Sequence, residues 1–172
     1  ASLAEYRKSA PSWEPVLDLD ELARVEGQNW VWKGVDCLPA GRRCLVLLSR
    51  GGADATVVRE FDTVSRSFVK GGFELAEAKS LVTWASENAL FVATDFGPGS
   101  LTDSGYPRIV KQWLRGTPLS AATLVHEGKP HDMSVYAEHD FSPGYPRDLI
   151  HRQTSFYTDE VYLRAASGKL RL

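Results

Sequence analysis

The sequence predicts an all-β protein: antiparallel four-stranded blades of a β-propeller, about three to four of them, not closed into a complete ring. Three observations carry this expectation. Short β-prone runs separated by turn residues fill most of the chain, those runs recur as a group, and the group repeats at a step of about 45 residues, inside the range of propeller blades. A β-sandwich or a self-contained small propeller is the competing architecture.

Taken in order, the chain first shows one helix signal. In "DLDELARVEG" Asp18 can cap, Glu21 follows three residues on as in a capping box, Leu19, Leu22 and Ala23 share a face, and Gly27 stops the run. Strands are then expected at "NWVWKGV", 44–49, 56–61, "SFV", 80–84, 90–95, 108–114, 122–127, 133–138, 149–156 and 160–165, each rich in β-branched and aromatic residues. The pair "CLVLLS"/"VVREFD" recurs as "LFVATD"/"IVKQWL" and as "LIHRQTS"/"VYLRAA". A β run precedes each pair ("NWVWKGV", "SLVTW", "DMSVY") and a fourth follows the first two ("SFV", "TLVHE"). The expected organisation is a single partial propeller over 1–172: the end of an earlier blade plus the short helix at 1–27, then blades at 28–70, 79–127 and 132–172.

Aligning the copies isolates one irregularity. Between the second and third strands the first copy has "RGGADAT" and the last has "FYTD", whereas the middle one has "TDFGPGSLTDSGYPRIV", Thr94 to Val110. Gly97 and Gly99 give G-x-G, but a dinucleotide fingerprint requires a third Gly where Thr102 stands, and a helix where "RIVKQWL" reads as strand. As a calcium loop it offers only Asp95 and Asp103, without the closing Glu. It reads as an insertion in a strand connection.

The other chemical motifs fail on spacing. "HEGKPH" sets His126 and His131 five apart with Pro130 between, whereas a zinc protease helix needs four. With His139 and His151 they can converge across blades, although exposed turn histidines explain them more simply. No G-x-S-x-G pentapeptide exists for a hydrolase elbow. Asp54, Glu60, Asp62, Asp95, Asp103 and Glu160 include no pair singled out for glycoside chemistry. No catalytic, cofactor-binding or metal-binding residue is therefore expected, and no cofactor. An independent all-β enzyme is the weakest of the three readings.

Net charge is −2 with a pI near 6.1, so neither nucleic acid nor an anionic membrane is an expected partner. No apolar run reaches the roughly 20 residues of a membrane helix, and the N-terminus lacks a signal-peptide core, so a cytoplasmic protein is expected, or a periplasmic one if a longer chain carries a leader. Cys37 and Cys44 flank "LPAGRR" and can face each other across a hairpin. A chain of this size does not need stapling, and two free packed thiols are expected. Of Trp13, Trp30, Trp32, Trp84 and Trp113, most fall in strands and are expected to pack between blades rather than form a ligand platform.

The wording of "NWVWKG", "DCLPAGRRCLVLLSRGGADATVVREFD", "GGFELAEAKS", "ATDFGPGSLTDSGYPRIVKQWLRGTPL" and "VHEGKPHDMSV" resembles the propeller region of bacterial prolyl oligopeptidase family serine peptidases, from about residue 2 onward. The resemblance implies a propeller that caps an α/β-hydrolase domain of the same parent chain and restricts access to short peptides. The family's catalytic triad lies in that second domain, so no catalytic role carries onto any residue here. An open arc would leave two blade faces uncovered, and self-association is expected, with Trp30, Trp32 and Trp84 near those faces.

Overall fold

The structure is a computed structural model that describes residues 2–8 and 13–172; residues 1 and 9–12 of the segment expected to end an earlier blade lie outside the described residues. Three antiparallel sheets follow one another along the chain. The first holds β1 (Trp30–Cys37), β2 (Arg43–Arg50), β3 (Thr56–Asp62), β4 (Ser67–Phe68) and β5 (Glu74–Ala78). The second holds β6 (Leu81–Ser86), β7 (Ala89–Ala93), β8 (Ile109–Leu114) and β9 (Thr123–Glu127), and the third β10 (Ser134–Asp140), β11 (Arg147–Ser155), β12 (Thr158–Arg164) and β13 (Leu170–Arg171). Each is a meander in chain order, and no sheet closes on itself.

Two strands were not legible beforehand. In the first sheet the outer strand is broken: β4 pairs with the end of β3 at Phe61 and Asp62, and β5 resumes along the same edge opposite Thr56, Val58 and Arg59. The break falls at Gly71 and Gly72, where a Cβ on Gly72 would stand 2.8 Å from a Glu60 carboxylate oxygen. The third sheet gains β13, which meets β12 through Leu163 and Arg164.

Period-two alternation distributes the apolar residues over successive layers. Leu45 and Val58 of the first sheet meet Val82, Trp84, Leu90, Val92 and Trp113 of the second, with Phe73 and Leu75 between them. The opposite face of β7, Phe91 and Ala93, packs with Val110 on Val135, Ala137 and Ile150 of the third sheet. Because β7 is covered on both sides, all five of its residues are buried.

The helix forms with the expected caps, but the capping box is not completed, because the Glu21 carboxylate is taken by Arg24. α1 is a single turn (Leu3–Tyr6), and α2 (Leu19–Glu26) begins at Asp18, whose carboxylate accepts from the Glu21 N–H, and ends at Gly27 with φ +64°. Its apolar stripe, Leu19, Leu22 and Ala23, lies against Trp30, Val46, Leu48, Val57 and Phe61, covering the far face of the first sheet. The corresponding face of the third sheet has no such cover among the described residues, and Val161 and Leu163 stay about two-fifths exposed.

The cysteine expectation is corrected. Cys37 and Cys44 are directly opposed in the β1–β2 ladder and form a disulfide. Chain size had suggested free thiols, but a facing pair beside a hairpin turn already brings the two side chains together, and that local geometry decides.

Candidate functional site

Antiparallel order sorts the connections onto two ends of the arc. The β2–β3, β7–β8 and β11–β12 connections share one end with the sheet-to-sheet crossovers, whereas the β1–β2, β6–β7 and β10–β11 turns share the other. The Thr94–Val110 stretch is the β7–β8 connection over 94–108, its last two residues opening β8, and it therefore lies at the crossover end.

There it is a packed structure. Asp95 Oδ1 accepts from the Gly97 N–H at 2.8 Å and from Ser100 Oγ at 3.1 Å, an Asx-type turn. Gly97 takes φ +102° and Gly99 φ +81°, a backbone region that side chains disfavour. Further along, the loop grips the second crossover: the Asp103 N–H donates to the Pro130 carbonyl, the Val135 N–H to Pro107, and Thr102 Oγ1 to Met133. At the first crossover the Lys79 ammonium sits 4.3 Å from the Tyr106 ring centroid and 3.9 Å from Asp54. The connection thus joins both crossovers. Between it and β5 opens a cavity of about 410 Å³ lined by Leu75, Lys79, Thr94, Asp95 and Leu101. Beside the lining, the buried Ser100 hydroxyl is turned onto the Asp95 carboxylate and the Gly97 carbonyl.

The candidate histidines do not converge. His131 is an exposed turn residue paired with Asp103. The turn explanation fails for the other three, which sit on strands and are mostly covered. His139 Nδ1 meets Asp148 at 2.7 Å. His151 stacks on Tyr136 at 4.5 Å, with one ring nitrogen facing Asp159 and the other Glu138. His126 faces Tyr162 of the third sheet. Among the described residues no group of three or more His, Cys, Asp or Glu is arranged to hold a metal ion.

The carboxylates are likewise committed to structure. Glu60 is wholly buried, accepting from Arg115 at 2.8 and 3.1 Å and from the Phe73 N–H at 2.9 Å, with Arg43 3.6 Å away. Backbone N–H groups of Ser65 and Val64, then Arg42, hold the Asp62 carboxyl below the usual carboxylate range. Hydrogen bonding from Tyr162, with Arg152 beside it, does the same for Glu160. Asp132, not singled out by sequence, takes a two-pronged contact from Arg152 at 2.7 and 3.0 Å, which holds it low. Asp36, also not singled out, is pushed up by burial and by Glu138 against the N–H bond from Trp84.

The tryptophans divide by place. Trp84 and Trp113 fill the space between the first two sheets, each edge-on to Phe73. Trp30 packs under α2 and donates to Glu26 instead of lying between blades. Trp32 is half exposed on the open side of β1, and Trp13 is largely exposed. Of the three expected near open faces, Trp30 and Trp84 are covered.

A family profile described as the prolyl oligopeptidase N-terminal β-propeller domain matches residues 3–169. An uncharacterized peptidase of Sinorhizobium fredii is 41% identical over 159 residues, which are 91% of this chain and 22% of that protein. A second uncharacterized peptidase, from Rickettsia prowazekii, is 29% identical over 175 residues, 95% of this chain and 24% of its own length. Among solved structures, a post-proline cleaving enzyme from Rickettsia typhi aligns with a TM-score of 0.85 at 26% identity, covering 98% of this chain and 26% of that one. Oligopeptidase B from Leishmania major shares the fold, with a TM-score of 0.64 at 16% identity, over 90% of this chain and 21% of that one. The chain spans about a quarter or less of the length of the curated relatives it matches.

Proposed function

The chain belongs to the prolyl oligopeptidase N-terminal β-propeller family, and from that premise we propose that it is the access-limiting part of a prolyl-oligopeptidase-like serine peptidase. Its partner is an α/β-hydrolase domain of the same parent chain. The propeller's role is to admit short peptides to the enclosed active site; catalysis belongs to the other domain. The observation that carries the reading is the match over residues 3–169 by a chain folded as an open arc of three blades. The absence of a G-x-S-x-G elbow from the sequence supports the division of labour. The crossover end, with its braced insertion, is the surface best built to border a second domain, since rigid loops position contacts that mobile ones cannot.

Two subsidiary proposals go with it. The isolated chain self-associates through the uncovered face of the third sheet. The Cys37–Cys44 disulfide favours an oxidising compartment such as the periplasm over the cytoplasm.

The test is a proline-containing chromogenic peptide assayed with the purified chain and with the longer protein that contains it. Turnover by the longer protein alone supports the reading. Turnover by the 172-residue chain that a serine-directed inhibitor abolishes would overturn it.

A further inference from the structure

Where the second and third sheets meet, one titratable group lacks the partner its neighbours have. His126 lies on β9, in a strand whose Val125 also packs into the contact between these sheets. Its ring sits 5.3 Å from the Tyr162 ring of β12, tilted by 38°. Its Nε2 is buried and has no hydrogen-bond partner among the described residues. The charged groups that act on it, Arg152, Asp132, Glu160 and Glu127, are all engaged elsewhere. Asp132, on the β9–β10 crossover, receives Arg152 of β11 and the Lys129 N–H. Glu160 of β12 receives Arg152 at 2.9 Å and the Tyr162 hydroxyl. Glu127, next to His126 on β9, is held by Arg108.

We propose that the junction between the second and third sheets is an acid-sensitive joint with His126 as its sensor, closed while the imidazole is neutral and loosened when it gains a proton. A neutral ring protonated on Nδ1 leaves Nε2 as an acceptor facing an apolar and aromatic surface, at small cost. Adding a proton there creates a buried cationic donor with no acceptor, in the neighbourhood of the Arg152 guanidinium, and such a group is driven toward water. Burial first, and then Arg152, pull the imidazole below its ordinary range, against the smaller opposing pull of Asp132, Glu160 and Glu127.

The sign follows. A group whose folded-state pKa is depressed adds stability above its unfolded pKa and loses it as pH falls through the folded value. The closed joint is therefore favoured at neutral pH and weakens through the mildly acidic range. Asp132 and Glu160, both held low, stay charged there. Each unit of pKa difference between closed and open joint is about a tenfold change in the opening equilibrium.

Hydrogen exchange followed by mass spectrometry, corrected for intrinsic rate, reads this directly on the 172-residue chain between pH 8 and pH 5. The expected result is a loss of protection of about tenfold per pKa unit in peptides covering β9, β10 and β12, with β1 to β3 unchanged. In His126→Phe, or in His126→Gln should the larger ring disturb packing, that loss disappears. Unaltered loss in a folded variant, equal loss in the first sheet, or no loss in the parent chain would each overturn the proposal.

Discussion

The two junctions between sheets are built from different materials. The first is aromatic and large: Phe73 meets Trp84 at 5.8 Å and Trp113 at 5.0 Å, and the Arg115 guanidinium lies 4.5 Å over Phe73 while reaching Glu60. The second has a smaller apolar core, Phe91, Ala93, Val110, Val135, Ala137 and Ile150. Around it are polar ties: Thr83 Oγ1 to the Ala137 carbonyl, Arg152 to Asp132, and the backbone bonds of the insertion. A repeated strand pattern thus does not imply a repeated adhesive. The first junction gains mainly from buried area, with Glu60–Arg115 and Asp36 as its charged contacts, whereas the second has a smaller apolar core ringed by polar ties.

The sharpest way to break this comparison is to remove the aromatic filling. Trp84→Ala is expected to cost about 3–5 kcal/mol, as large-to-small changes in cores do, read as a shift in urea midpoint. In the second junction only Phe91 is a comparable aromatic filling. Next comes the buried ion pair: Glu60→Ala strands Arg115 and the Phe73 N–H, at a cost of about 3 kcal/mol, and Arg115→Ala combined with it should be sub-additive in a double-mutant cycle. On the opposing side, Ile150→Val is expected to cost only about 1 kcal/mol.

Acid should separate the junctions by sign. Asp36, which ties β1 to Trp84, is raised by burial, so its contribution is present below its unfolded pKa and is lost as pH rises through the folded value. Asp132, held low by Arg152, contributes above its unfolded pKa and loses that contribution as pH falls. Asp132→Asn should therefore flatten the acid limb of a stability–pH curve, whereas Asp36→Asn should flatten the rise in stability that Asp36 supplies toward acid. Equal responses to both would show that the junctions do not differ as described. An equally small effect is expected in the insertion: Asp95→Ala removes one turn-stabilising acceptor, about 1 kcal/mol, measurable by calorimetry.

Much of the architecture was legible in the chain. The positions of strands such as Arg43–Arg50 and Ile109–Leu114 follow from β-branched and aromatic runs between turn residues, and Asp18 and Gly27 bound α2 as caps should. Alignment of the repeated copies also identified the Thr94–Val110 stretch as a connection, because the repeat fixes where strands must fall on either side of it. The broken outer strand at β4 and β5 escaped, since "ELAEA" has poor strand propensity and pairs only because β3 offers an edge. β13 escaped because two residues carry no period.

What sequence by itself determined is which residues share a face and where the chain turns: those properties are set by dihedral preference and alternation within about ten residues. What only the tertiary structure decided is what each face meets. Alternation marks Leu45 and Val46 as opposite-facing, but that one meets the second sheet and the other the stripe of α2 depends on how the layers stack. Glu60 and Arg115 stand 55 positions apart, and Asp132 and Arg152 stand 20 apart. Their pairing, and the solitary Nε2 of His126 beside the second pair, arise from that stacking, because burial and electrostatic coupling are properties of the space between elements rather than of any one of them.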